Sequence, residues 1–404
     1  MTDSSDLFSR FNVLDQLLSQ TQNLWQQRPF HWLDLPWRQT HPALCTWLDE
    51  LSMADLQALK ESDSLMSVLH AWIPELSLLH YFSELPTISP QHITLPARIE
   101  TGVPGRKWQQ VCAFAGALTQ PHPRPWLEWC AGKGHLGRVL GMMSSQPVVS
   151  LEWQKKLCDD GNQMAERDGV AQTFVHGDAF SDSGRALCQS AQSAVALHAC
   201  GDLHVTLIQA ASQAKTQHIA ISPCCYHLIQ SPRYQPLSQA AQQSMLVLEK
   251  ADLKLALQET VTAGQHTQRK GALEVSYRLG FDAMQRHALN HDSYMPLPNV
   301  QKSLLQEGEA GFADFCRWAV AQKAVAIDLD DYDLAAFLAQ GQARAALVAK
   351  MELIQQVFRR PLELWLCLDR SCYLEEQGYQ VTLSTFCERA LTPRNILIEA
   401  TLIS

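Results

Sequence analysis

The sequence predicts an α/β protein, and three observations carry that expectation. Residues 125–227 alternate short apolar strand segments with helical ones, at the spacing of a parallel sheet with crossover helices. The first of those strands runs directly into a glycine-rich turn and then a helix, in EWCAGKGHLG at 128–137. The flanking regions read as helical until YQVTLSTFCERALTPRNILIEATLIS, which reads as two strands joined by a loop containing TPRN. Four segments result: an N-terminal helical region at 1–95, the first part of the α/β core at 96–235, a helical insertion at 236–343, and a closing helix and strand hairpin at 344–404.

The N-terminal region is rich in Leu, Gln and Trp. Trp25, Trp32, Trp37 and Trp47 occur at a density that favours packing against a neighbouring domain over a platform for stacking bases. Pro and Gly in LPARIETGVPGRK mark a boundary before a helix expected over 105–118, and Arg98, Arg106 and Lys107 make that boundary locally basic. The predicted strands are PWLEWC, PVVSLEW, AQTFVHG, SAVALHAC and HIAISPCC, with helices over 135–143, 154–168 and 203–214. Right-handed crossovers bring the carboxyl ends of these strands to one edge, where open α/β sheets bind ligands. Beyond the insertion, one continuous helix is expected over 344–376.

Composition narrows the function classes. The 404 residues carry 32 Lys and Arg against 41 Asp and Glu, a net charge of -9, with 46% apolar and 18% charged residues. Such a chain folds around a core, and it cannot coat nucleic acid by bulk charge, so any RNA contact has to be local. The 12 cysteines run from Cys45 to Cys387 without a compact framework, which fits reduced thiols. No apolar run approaches the ~18 residues of a membrane span, and the acidic start lacks a secretory pattern. A soluble cytoplasmic protein, away from membranes, is the expectation.

Gly132 and Gly134 let the backbone approach a ligand, while the following helix supplies oriented N–H donors. Glu152 ends the second strand, about where a Rossmann-like unit places its ribose-binding carboxylate; alone, it would read as a solvent-facing acid. GKGHLG lacks the usual dinucleotide frame, and Glu128 opens the motif with a carboxylate that would repel a diphosphate. Both features suit S-adenosylmethionine better than NAD. Glu128 then either orients the turn or faces the cofactor's ammonium. A P-loop is excluded, because Lys133 lies inside the turn with no Lys-Ser/Thr pair after it. Asp178, in HGDAF, is placed for the adenine amine or else caps a helix. Cys130, Ala131, Trp153, Ala179 and His198 complete the expected cofactor lining.

The fourth and fifth strands end in LHACGDL and SPCCYH, which brings His198, Cys200, Cys224, Cys225 and His227 together if the two are neighbours. Three readings stay open. Zinc takes thiolates and imidazoles in fours, but adjacent Cys-Cys is poor geometry for it, and no obligate metal is assigned. A cysteine thiolate could add to C6 of a pyrimidine, given a histidine to lower its pKa. Alternatively the cluster forms a floor for the methyl acceptor, with His227 as base or hydrogen-bond partner. Cys224, Cys225, His227 and His198 are therefore the candidate catalytic residues. Arg269 and Lys270 in the insertion read as a solvated helix face, or as part of a basic rim that would position phosphates.

With these residues in view, the chain resembles the class I S-adenosylmethionine-dependent methyltransferases of the group containing methyltransferase-like protein 25. It is also similar to the methyltransferase part of the glutathione-S-transferase C-terminal-domain-containing proteins. EWCAGKGHLG at 128–137, LHACGDL at 197–203, PCCYH at 223–227 and the closing stretch at 374–400 carry the likeness, in the family's order. The HxCG and CCxH elements add a distant similarity to tRNA acceptor-stem ribose 2′-O-methyltransferases. Their zinc-binding amino-terminal modules have no counterpart before residue 95, where Cys45 stands alone. The resemblance implies a Rossmann-like seven-stranded sheet closed by an antiparallel hairpin, with Glu128, Gly132, Gly134, Glu152 and Asp178 around the cofactor. It implies methyl transfer, with RNA the expected acceptor and a protein, a small molecule or a non-catalytic cofactor-binding role as alternatives.

Overall fold

A computed structural model describes residues 6–97, 99–118, 124–257 and 265–403. Its centre is a seven-stranded sheet of β1 (Trp126–Trp129), β2 (Val148–Glu152), β3 (Gln172–His176), β4 (Ser193–Cys200), β5 (His218–Cys224), β6 (Tyr379–Thr385) and β7 (Ile396–Leu402). The order is β3-β2-β1-β4-β5-β7-β6. β1 to β5 pair in parallel, while β7 runs antiparallel to both β5 and β6. The seven-stranded Rossmann-like expectation holds, and the order reverses between β1 and β4, where such sheets open a crevice at their carboxyl ends.

Nine helices are named here: α1 (Leu7–Gln20), α2 (Gly105–Ala117), α3 (His135–Ser144), α4 (Lys155–Arg167), α5 (Asp202–Gln213), α6 (Gln265–Leu289), α7 (Gly308–Lys323), α8 (Leu334–Gln356) and α9 (Arg359–Glu376). β1 is buried at all four positions, as a strand covered on both faces should be. Val111 and Phe114 of α2 join Leu136, Val139 and Leu140 of α3 in one apolar cluster with Trp126, Val195, Ala220 and Phe386. That packing holds α2 and α3 against the sheet.

The chain divides into two compact units that cut across the four expected segments. The first comprises residues 1–20, 78–261 and 359–404; the second, residues 21–77 and 262–358. The N-terminal region is thus shared between them, and residues 262–358 of the second unit overlap the expected insertion. In the first unit α1 packs on α9, with Phe11 against Trp365 at 5.3 Å between ring centroids and Asp15 accepting from Trp365 Nε1 at 2.9 Å. In the second, α6 and α8 cross closely, because Gly341 sits where a Cβ would strike the Ser276 carbonyl.

The helix expected over 344–376 is instead two, α8 and α9, separated at Val357 and Phe358. Pro361 accounts for the break: it has no N–H for the Val357 carbonyl, and its ring would clash there in a continuous helix. The tryptophans divide as well. Trp25 and Trp37 are buried inside the second unit, Trp47 stacks on Trp72 at 4.5 Å, and Trp32 is exposed. Among the described residues no helix is long and apolar enough to cross a membrane.

Candidate active site

The carboxyl ends of β1 and β2 form the first half of the site. Cys130, Gly132 and Gly134 all have left-handed backbone, at φ 56°, 61° and 67°. A Cβ on Gly132 would meet no atom within 4 Å, so the tip of the turn is an open cradle. Gly134 differs in its surroundings. Its Cβ would strike Gln172 and Phe174 of β3, so this glycine serves helix-to-strand packing.

Glu152 ends β2 with both oxygens engaged. Oε2 accepts from Gly132 N at 2.9 Å and Oε1 from Gln154 N at 2.8 Å, which ties the acid to the turn. Trp153 beside it is 68% exposed. Asp178 Oδ1 accepts from Phe180 N at 2.9 Å, with Ala179 buried between them. Ser181 caps the helix Asp182–Arg185, so the capping alternative for Asp178 does not hold. Ala131 is anchored through its N–H to the Leu151 carbonyl at 3.0 Å.

Glu128 lies behind this turn. Its Oε2 accepts from Ser150 Oγ at 2.7 Å and Gln172 Nε2 at 3.2 Å, and Gln172 also donates to the Gly134 carbonyl. Burial pushes its carboxyl up to about 7 against the opposing pull of Ser150, the Gly137 N–H and the charges of Arg138 and Lys107. Of the two roles open to Glu128, these partners fit the orientation of the turn. Lys133 is engaged with Asp160 of α4 at 3.0 Å.

The ends of β4 and β5 form the second half. Cys200 and Cys224 are register partners, their Sγ atoms 3.6 Å apart, after a shift in register between Leu197 and Cys200. His198 in that shift has φ 67°, and Cys225 just past β5 has φ 48°. Gly201 is required, because a Cβ there would lie 1.9 Å from the Leu228 carbonyl. Gly201 N donates to the Cys224 carbonyl at 3.1 Å and Asp202 N to the Leu228 carbonyl at 3.1 Å, locking the two strand ends together. Thiol donation from Cys200 and then Cys224 draws the Cys225 thiol well below its ordinary range, helped by the charges of His227 and Arg394. His227 Nδ1 is buried without a hydrogen-bond partner.

The two halves adjoin. Burial raises the Cys130 thiol to about 12, and after burial the charges it feels are those of Glu152, Cys200 and Asp178. His198 meets Gln110 of α2, Nε2 to Oε1 at 2.9 Å, while Gln110 Nε2 donates to the Leu391 carbonyl at 3.2 Å. That second bond orients the amide, so its oxygen faces the imidazole. His198 therefore carries its proton on Nε2 and its lone pair on Nδ1. Burial lowers the His198 pKa, and the charges of Lys107 and Arg394 lower it further against the opposing effect of Cys225.

Of the expected basic residues, Lys107 therefore acts on the site, and Arg106 holds the Ala390 and Leu391 carbonyls at 2.9 and 2.6 Å. Arg269 and Lys270 belong to the second unit, where Lys270 donates to the Leu305 carbonyl. Arg98 lies outside the described residues. Gln110 and Arg394 were missed from sequence. Gln110 had a signal, three residues beyond Lys107 on one helix face. Arg394 reaches the site because β7 returns antiparallel to β5, so the loop before it ends beside the carboxyl end of β5; Ser222 Oγ donates to the Arg394 carbonyl at 3.1 Å.

A family model described as a methyltransferase domain matches residues 106–232, the stretch that supplies β1 to β5 and every strand-end residue above except Arg394. No curated protein matches the chain. Among solved structures, TrmN from Thermus thermophilus is 15% identical, over 31% of this chain and 41% of that one, with a TM-score of 0.25. An RNA methyltransferase from Salinibacter ruber in complex with S-adenosyl-L-homocysteine is 12% identical, over 33% and 86%, at 0.25. A putative sarcosine dimethylglycine methyltransferase from Galdieria sulphuraria is 16% identical, over 37% and 58%, at 0.24. Residues 106–232 thus match a methyltransferase domain, for which the expected cofactor is S-adenosylmethionine.

Proposed function

We propose that this chain transfers a methyl group from S-adenosylmethionine to a nucleoside of RNA, with His198 taking the acceptor's proton. One observation carries the reading: neutral His198, its Nδ1 lone pair fixed by Gln110, lies within the fields of Lys107 and Arg394. In a chain of net charge -9, two cations at the acceptor side are the local positive field that a phosphate-bearing acceptor needs.

The cofactor supplies an electrophilic methyl group on a sulfonium. The open tip at Gly132, the exposed ring of Trp153 and the carboxylates of Glu152 and Asp178 fit its nucleoside. Gly132 would pass beside it, Glu152 would accept from the ribose hydroxyls, Trp153 would cover the adenine, and Asp178 would accept from the adenine amine. Cys130, Ala131 and Ala179 would line the same pocket, and Glu128 would hold the turn in place from behind. On the acceptor side, His198 Nδ1 accepts the proton of the hydroxyl or amine, and its lowered pKa keeps it unprotonated at neutral pH. His227 Nδ1 would offer a second polar contact, while the thiols of Cys224 and Cys225 border the acceptor without bonding to it.

Transfer of tritiated methyl groups from S-adenosylmethionine into fractionated cell extract tests this. Label in a ribonuclease-sensitive fraction, with incorporation that falls steeply as salt rises, is expected. Label confined to protein or small molecules would overturn the RNA assignment.

A further inference from the structure

The thiols of Cys200, Cys224 and Cys225 have no part in the proton transfer described above, yet the backbone is bent twice to bring them together. Successive side chains of an extended strand point to opposite faces, which is why adjacent cysteines read as poor geometry for a metal. Here β5 ends at Cys224 and Cys225 turns left-handed, at φ 48°, so that both thiols reach the same place. His198, at φ 67° within the register shift of β4, brings Cys200 level with Cys224. Non-glycine residues in this conformation are strained, and such residues gather where function requires them.

We propose that Cys200, Cys224 and Cys225 bind one thiophilic divalent cation, zinc, as three thiolate ligands. Their Sγ atoms all lie within 4.8 Å of one another, and those of Cys200 and Cys224 are 3.6 Å apart. Zinc–sulfur bonds of about 2.3 Å set tetrahedral thiolates roughly 3.8 Å apart, so small side-chain adjustments close the site. His227, two residues past Cys225, adds a buried nitrogen without a hydrogen-bond partner at the same strand end. Binding displaces the thiol protons and ties the end of β4 to that of β5 beside the acceptor.

The test reads metal and not methyl transfer, so its failure is separate from failure of the proposed activity. The full chain is purified under reducing conditions, loaded with zinc, dialysed, and its metal content measured; a second sample is loaded with cobalt. One zinc per chain is expected, together with a thiolate-to-cobalt charge-transfer absorption. Cys200→Ser, Cys224→Ser and Cys225→Ser should each weaken zinc binding by more than the roughly 10–100-fold that loss of an outer-shell partner costs. Cys45→Ser, in the second unit, should bind as the parent does. Absence of zinc from the reduced parent, undiminished binding in Cys225→Ser, or a Cys200–Cys224 disulfide in the reduced chain overturns the proposal. Should the serine variants fail to fold, a cobalt-loaded parent without the charge-transfer band overturns it alone.

Discussion

The ends of β1 and β2 and the ends of β4 and β5 both bend the chain into left-handed backbone, but with different residues. The first pair uses Gly132 and Gly134 after one side-chain-bearing residue, Cys130; the second uses two such residues, His198 and Cys225, with one glycine, Gly201. Glycine belongs where the backbone itself must stay open or come close to something, as in the empty space at Gly132 or with Gln172 against Gly134. Where side chains must converge, glycine offers nothing, and the strain is borne by residues with functional groups. The first half of the site is thus shaped by the removal of side chains, the second by aiming them.

The largest expected effect tests the locking of β4 to β5. Gly201→Ala places a methyl against the Leu228 carbonyl, a backbone atom that cannot step aside, and should cost more than about 4 kcal/mol in urea denaturation. Gly132→Ala meets no neighbour and should cost only about 1–2 kcal/mol from its left-handed backbone. The same variant should lose about tenfold or more in cofactor affinity by calorimetry, or ~1.4 kcal/mol. Equal stability losses in the two variants would erase the contrast between the halves.

Next in size is the aimed imidazole. His198→Ala should lower the single-turnover methyl-transfer rate by about 10²–10⁴-fold while leaving cofactor affinity unchanged. Gln110→Ala should lower it less, and should alter its pH profile, because the Nε2–H tautomer is no longer held.

A further effect concerns the buried acid behind the turn. An unfolded glutamate ionises near 4.5, while folded Glu128 keeps its proton to about 7, so the folded chain binds more protons between those values. Stability should therefore fall as pH rises through that window, by about 3 kcal/mol from this group. Glu128→Gln should flatten that slope, measured by denaturation at both ends of the window.

Much of the first half of the site was legible in the chain, because its parts are close in sequence. A strand, a glycine turn, a helix and Glu152 fall within residues 126–152, and local spacing reports them. The strand segments up to β5 and the closing hairpin were legible for the same reason, through apolar runs and turn residues. The break before α9 was available in Pro361, yet the apolar pattern on either side outweighed it. The two compact units were not legible, since residues 21–77 join residues 262–358 through contacts between segments far apart in sequence.

By itself, then, the sequence determined the α/β class, the glycine turn with its carboxylate, and the presence of histidines and cysteines at two strand ends. Only the tertiary structure decided that Gly134 serves packing, that Gln110 orients His198, that Arg394 joins the acceptor side, and that two adjacent cysteines share one focus with a third. The physical reason is range. Strand and turn propensities act over a few residues, whereas a hydrogen bond spanning 88 positions, from Gln110 to His198, exists only once α2 has packed against the sheet.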